Sequence, residues 1–135
     1  FYRQKAKSIL ATARQLVELH GGAVPKTLPE LTALPGVGRK TANVVLNMAF
    51  GEATIAVDTH VFRVAQRMGL AKGKTPREIE DQLLKVVPPR FMQHAHHWLI
   101  LHGRYTCIAR KPKCPACPVR ELCPFKPKTK PDELS

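Results

Sequence analysis

The stretch LPGVGRKTANVVLNMAFGEATIAVD, residues 34–58, decides how the rest of the chain is read. It opens on a tight turn, Leu34-Pro35-Gly36-Val37-Gly38, set between two segments with helical spacing. Gly36 and Gly38 are able to adopt φ > 0 and leave their amides uncovered, so another backbone can come close. The basic pair Arg39-Lys40 follows where a helix over Arg39–Phe50 begins. Amides at the positive end of a helix suit a phosphate. Ala42, Val45, Leu46 and Ala49 recur as an apolar stripe, with Lys40, Asn43 and Asn47 on the opposite face. Taken alone, the turn reads equally as a helix reversal carrying a solvated lysine and as a phosphate-binding hairpin.

Working outward, an Ala- and Leu-rich helical texture persists through the chain, and the fold reads as all-α. Residues 4–20 carry Ile9, Ala13, Leu16, Val17 and His20 at helical spacing, and Gly21-Gly22 stops that helix. Thr27-x-x-Glu30 is a capping box that opens a short helix leading into the hairpin turn. Beyond Gly51, a short apolar connection reaches Asp58-Thr59-His60, where the next helix starts on Val61, Val64, Ala65 and Met68. Aspartate is a favoured N-cap, and that role alone accounts for Asp58. His60, Arg63 and Arg67 share one face of this helix, which reads as solvated or phosphate-facing. Thr75, Pro76 and Glu78 form a second capping box, followed by an Ile79, Leu83, Val86 seam. A last helix from about Phe91 to His102 is expected to pack Ala95, Trp98 and Leu99 and to end at Gly103. Its histidines match no carboxylate or cysteine on a shared face, so they read as core or surface residues.

Composition limits the function classes. At 135 residues the chain suffices for one domain with a real core. No apolar run reaches the ~18 residues of a membrane span, and nothing resembles a secretory signal, so no membrane partner is expected. Lys and Arg total 22 against 10 Asp and Glu, a net +12. Four metal-bound thiolates would remove about two units of that surplus, which still selects a polyanion as partner. Duplex nucleic acid comes ahead of anionic lipid, because no basic amphipathic anchor is evident.

All four cysteines fall in one segment, Cys107, Cys114, Cys117 and Cys123, spaced C-x6-C-x2-C-x5-C. Clustering of this kind is metal-ligand usage suited to a reducing cytoplasm, not a disulfide framework. Thiolates serve zinc and iron–sulfur alike, so the spacing leaves the metal open. A single compact loop wraps a cubane somewhat better than it wraps one zinc ion. Arg110, Lys111 and Lys113 lie between the first two cysteines, where pinning would make a basic finger. The proline-rich basic end, residues 126–135, reads as a disordered tail.

Two separate motifs carry a family resemblance. LPGVGRKTANVVLNMAFG followed by VDTHVFRV, together with the four-cysteine pattern, resembles the helix-hairpin-helix DNA glycosylases, the endonuclease III family most closely. The resemblance runs from Phe1 to about Phe125. It implies that residues 1–52 are the remainder of a six-helix domain and 53–135 a cluster domain, with a substrate cleft between. Phe1-Tyr2-x-x-Lys5-Ala6 resembles a motif well inside the family, so the chain reads as a fragment lacking the earlier helices. The implied cofactor is a [4Fe–4S] cluster on Cys107, Cys114, Cys117 and Cys123, with zinc as the alternative.

The implied activity is removal of oxidised pyrimidines from duplex DNA, followed by strand cleavage at the abasic site. Lys40 would be the nucleophile and Asp58 the catalytic carboxylate. Relatives that act only as glycosylases lack a lysine at this position, so Lys40 points to the bifunctional branch. Gly36, Val37, Gly38 and Arg39 in the hairpin, and Arg110, Lys111 and Lys113 in the cluster loop, would hold the DNA backbone. Phe1 would wedge into the duplex beside the lesion. The partner is double-stranded DNA with a damaged base or abasic site, met by a monomer in the cytoplasm, nucleoid-associated if bacterial. The competing readings are a non-catalytic DNA-binding module and a zinc-binding structural domain.

Overall fold

The computed structural model describes residues 1–134, and among them every regular element is helical. Six α-helices follow in order: α1 (Tyr2–His20), α2 (Leu28–Thr32), α3 (Arg39–Phe50), α4 (Thr59–Arg67), α5 (Pro76–Val86) and α6 (Met92–Tyr105). Short 3-10 turns sit at Pro89–Phe91, Cys114–Ala116 and Pro131–Leu134. No helix is long and apolar enough to cross a membrane. The chain divides into two compact units, Phe1–Thr54 and Ile55–Ser135.

In the first unit, α2 and α3 pack around Leu31, Leu34, Ala42 and Leu46, with Leu16 of α1 against them. The capping box at Thr27 forms: the Glu30 amide donates to Thr27 Oγ1 at 3.3 Å and the hydroxyl reaches Glu30 Oε1 at 2.8 Å. Gly21 ends α1 in the left-handed region with φ 60°. The apolar stripe read on α1 is not buried, for Ile9, Ala13 and Val17 are all exposed. The hairpin turn sets the rotation of α1 instead. Thr12 Oγ1 donates to the Pro35 carbonyl at 2.7 Å, and Ser8 lies directly against Gly36.

Two further expectations on α3 are corrected. Asn43 and Asn47, assigned to the polar face, are buried, while Ala49 is exposed. The chain leaving α3 turns back over these asparagines. Asn47 Nδ2 donates to the Thr54 carbonyl at 2.9 Å, and Thr54 Oγ1 donates to the Asn43 carbonyl at 2.6 Å. The returning backbone gives the buried Asn47 Nδ2 an acceptor that water would otherwise provide, and the Thr54 hydroxyl does the same for the Asn43 backbone carbonyl.

The second unit is built on α4, α5 and α6 around Ile55, Val57, Val61, Ala65, Ile79, Leu83 and Met92. Fully burying one such aliphatic side chain contributes about 1.5–3 kcal/mol. The Thr75 cap forms as read, with the Glu78 amide donating to Thr75 Oγ1 at 3.3 Å. Val86 and Trp98, expected in the core, are half-exposed. α6 does not stop at Gly103 but continues through it to Tyr105. Gly103 is buried because α4 presses on it: a Cβ there would lie 2.8 Å from Val64 Cγ2 and 3.1 Å from His60 Cβ.

His96, on the buried side of α6, has an Nδ1 with no hydrogen-bond partner. Burial pushes its pKa below the ordinary 6.5, and the neighbouring His97 pushes the same way; Asp58 opposes them, and His94 adds a smaller downward push. The folded protein therefore keeps this ring neutral at pH values where the unfolded chain takes up a proton. Its contribution is complete above about pH 6.5 and is lost as pH falls toward the lowered folded pKa. Thermal midpoints between pH 8 and 5 should show the loss, and His96→Leu should flatten that part of the curve relative to wild type.

Candidate nucleic-acid interface and metal centre

The hairpin turn closes through the Val37 amide, which donates to the Leu34 carbonyl at 3.1 Å. Gly36 takes φ 77°, and a Cβ there would meet Ser8 Cβ at 2.7 Å, so both conformation and space demand glycine. Gly38 does not need a positive φ. It is the N-cap of α3 with extended φ −93° and ψ −179°, as N-cap residues usually are. What matters at Gly38 is openness: nothing lies within 4 Å of the position a Cβ would take. α3 thus starts without a side-chain cap, and a first-turn amide can reach a ligand's phosphate. Lys40 is exposed in that first turn.

Asp58 is the N-cap of α4, and both oxygens of its mostly buried carboxylate are engaged. Oδ1 accepts from the Val61 amide at 2.8 Å, and Oδ2 lies 3.2 Å from His60 Nδ1. The carboxylate is fixed in orientation by two partners on its own helix. His60 is therefore not simply solvated, as the sequence suggested.

The cysteine segment follows α6 directly. The Cys107 amide donates to the His102 carbonyl at 2.7 Å, which bends the chain out of the helix. Between Cys107 and Cys114 the loop doubles back on Lys111, a non-glycine residue at φ 51°. The Lys113 amide closes it on the Thr106 carbonyl at 2.8 Å. Arg110, Lys111 and Lys113 all stand exposed on this loop. The left-handed conformation at Lys111 costs about 1 kcal/mol or more, so the closure must hold it.

The sequence reading missed what secures this loop. Arg63 donates to the Gly103 carbonyl at 2.7 Å and the Cys107 carbonyl at 3.2 Å. Arg67 donates to the carbonyls of Ile108 at 2.7 Å and Ala109 at 2.9 Å. Neither arginine lies on a solvated, phosphate-facing surface as expected. Both sit on one face of α4 one turn apart, a spacing visible in the sequence, but nothing in it names carbonyl acceptors some forty residues away. His102 also departs from expectation, because its Nε2 lies 3.7 Å from Cys117 Sγ. Burial lowers its pKa.

In the proline-rich end, Lys128 Nζ donates to the carbonyls of Cys123 at 2.8 Å and Phe125 at 3.2 Å, and a 3-10 turn spans Pro131–Leu134. Ser135 lies outside the described residues.

Cys107, Cys114, Cys117 and Cys123 line one small cavity. Four thiols lining one cavity form an all-sulfur donor set, the kind that holds an iron–sulfur cluster or zinc.

Comparison with known proteins agrees with this arrangement. Residues 1–89 match the HhH-GPD superfamily base excision DNA repair proteins. The chain belongs to that superfamily. Residues 107–123 match the iron-sulfur binding domain of endonuclease III, so the cysteine cavity is an iron–sulfur site. Endonuclease III of Escherichia coli K12 is 60% identical over 127 residues, covering 94% of this chain and 60% of the relative. That of Haemophilus influenzae is 58% identical over the same shares. This HhH-GPD chain thus spans about three fifths of the length of these curated relatives. Among solved structures, a trapped endonuclease III–DNA covalent intermediate superposes with a TM-score of 0.84 at 46% identity. It matches 91% of this chain and 58% of that one. A thermostable thymine-DNA glycosylase gives 0.78 at 28% identity, over 90% and 58%.

Protein isolated without air should be yellow-brown and contain acid-labile sulfide with iron, about four per chain for a Cys₄-bound cubane. Elemental analysis that returns one zinc and no iron would contradict the assignment.

Proposed function

We propose that the protein is a bifunctional base-excision glycosylase that removes oxidised pyrimidines from duplex DNA and then cleaves the abasic strand. Two features carry this reading, each within its own unit: an exposed lysine in the first turn of an α3 that starts without a side-chain cap, and an aspartate capping α4 with both carboxylate oxygens engaged. The chain's likeness to an endonuclease III trapped in a covalent intermediate with DNA supports a covalent nucleophile, the role we give to Lys40. The substrate is double-stranded DNA with a damaged base or abasic site, engaged by a monomer in the cytoplasm.

A stacked base is out of reach, so the target nucleotide must be flipped out of the duplex. Fully exposed Phe1 would fill the gap it leaves. Breaking the glycosidic bond develops positive charge on the sugar, and the Asp58 carboxylate stabilises it electrostatically. The neutral Lys40 amine forms a bond to the sugar carbon as the bond to the base breaks, and the base departs with a proton. Ring opening gives a Schiff base, which acidifies the adjacent C–H. Loss of that proton expels the 3′ phosphate by β-elimination.

The hairpin, through Gly36, Val37, Gly38 and Arg39, and the loop residues Arg110, Lys111 and Lys113 grip phosphates, which position the enzyme without reading sequence. Cys107, Cys114, Cys117 and Cys123 would hold a [4Fe–4S] cluster, which would cross-link and fix this loop.

Two experiments test the reading. Borohydride should trap wild-type protein on damaged duplex; Lys40→Gln should abolish trapping and leave binding intact, and Asp58→Asn should slow base release strongly. Undiminished trapping by Lys40→Gln would assign the nucleophile elsewhere. Separately, duplex affinity should fall steeply with salt, with a slope of about −0.9 per phosphate neutralised, and Lys111→Ala should reduce that slope by about one such contact. An unchanged slope would remove the loop from the DNA backbone.

A further inference from the structure

Arg67 does more than its neighbour Arg63. Its guanidinium uses the planar fork to hold two successive carbonyls, Ile108 at 2.7 Å and Ala109 at 2.9 Å. The same Nη1 lies 3.5 Å from Cys107 Sγ. One face of the guanidinium is stacked on Phe125, with Cζ 4.8 Å from the ring centroid. The Arg67 backbone carbonyl in turn lies 3.4 Å from Cys123 Sγ. One residue on α4 therefore touches the first and the last cysteine of the segment, together with the chain that follows each of them.

We infer that Arg67 is the positioning residue of the iron–sulfur cavity: it sets Cys107 and Cys123 at their separation and keeps a fixed positive charge against the Cys107 sulfur. The inference rests on the iron–sulfur reading and goes beyond it.

Three physical points carry it. Carbonyls at 108 and 109 held by one fork cannot rotate independently, so the chain entering the loop leaves Cys107 aimed at the cavity. Arginine stays protonated at every accessible pH, so its charge is permanent. A donor aimed at a thiolate withdraws electron density from it, and hydrogen bonds to the sulfurs are among the factors that set cluster potentials. Lysine would keep the charge but lose the fork and the stacking geometry. Arg63, by contrast, bonds to carbonyls of Gly103 and Cys107 and to no sulfur.

The test uses the full chain with its cluster in place, comparing wild type, Arg67→Lys, Arg67→Gln and the exposed control Lys85→Gln. Cluster absorbance is followed during exposure to ferricyanide and chelator, helicity is matched by circular dichroism, and the midpoint potential is read by voltammetry. Arg67→Gln should bleach at least tenfold faster than wild type, and its potential should move to more negative values. Arg67→Lys should bleach nearly as fast as Arg67→Gln, yet keep a potential closer to wild type. Lys85→Gln should match wild type in both. If Arg67→Lys holds its cluster as long as wild type, the positioning role falls, and this holds even where Arg67→Gln fails to fold. An unchanged potential in Arg67→Gln would overturn the charge on sulfur. Wild-type protein without iron would instead defeat the iron–sulfur reading, a distinguishable failure that takes this inference with it.

Discussion

The second unit depends on keeping a nine-residue helix, α4, in place. A helix this short has no stability of its own in water, since nucleation costs more than so few hydrogen bonds return. It is secured from both ends by different means. At its start, the Asp58 carboxylate satisfies an amide that would otherwise lack a partner. Toward its end, Arg63 and Arg67 donate to carbonyls of residues 103 to 109, and Val61, Val64 and Ala65 are fully buried between them. The same helix thus carries the proposed catalytic carboxylate at one end and the supports of the iron–sulfur cavity at the other.

Positive charge is used in two distinct ways. Arg63 and Arg67 spend theirs internally, on carbonyl oxygens that the non-helical cysteine segment leaves without backbone partners. Arg110, Lys111 and Lys113 keep theirs at the surface. The net charge of +12 therefore overstates what is available to a polyanion. The division follows geometry: helix-borne arginines reach inward along α4, while the loop residues stand on a reversal too tight to bury them.

Local signals were legible in the sequence. Thr27 with Glu30 and Thr75 with Glu78 read correctly as helix starts, because a cap and its partner are three residues apart and need nothing remote. The cysteine spacing identified the metal segment for the same reason. Side chains whose environment is supplied by distant backbone were misread. Asn43 and Asn47 look like a solvated face until Thr54 returns over them. Arg63 and Arg67 look like a phosphate-facing pair until the segment after α6 arrives. Ile9 and Val17 on α1 mark an apolar face at the right period, yet Thr12 and Ser8 decide which side meets the hairpin turn. Periodicity locates a face but does not say what covers it.

The contact at Gly103 joins two positions that the sequence keeps 39 residues apart. Because a Cβ at 103 would fall within 2.8 Å of Val64 Cγ2, the two sites share a single volume, filled once by the valine methyl. A larger residue at 103 is tolerable only where position 64 gives up that methyl, and the loss at 64 alone opens a void between α4 and α6. Substitutions at 64 and 103 are therefore non-additive, and drift at either site is constrained to occur as a compensated pair.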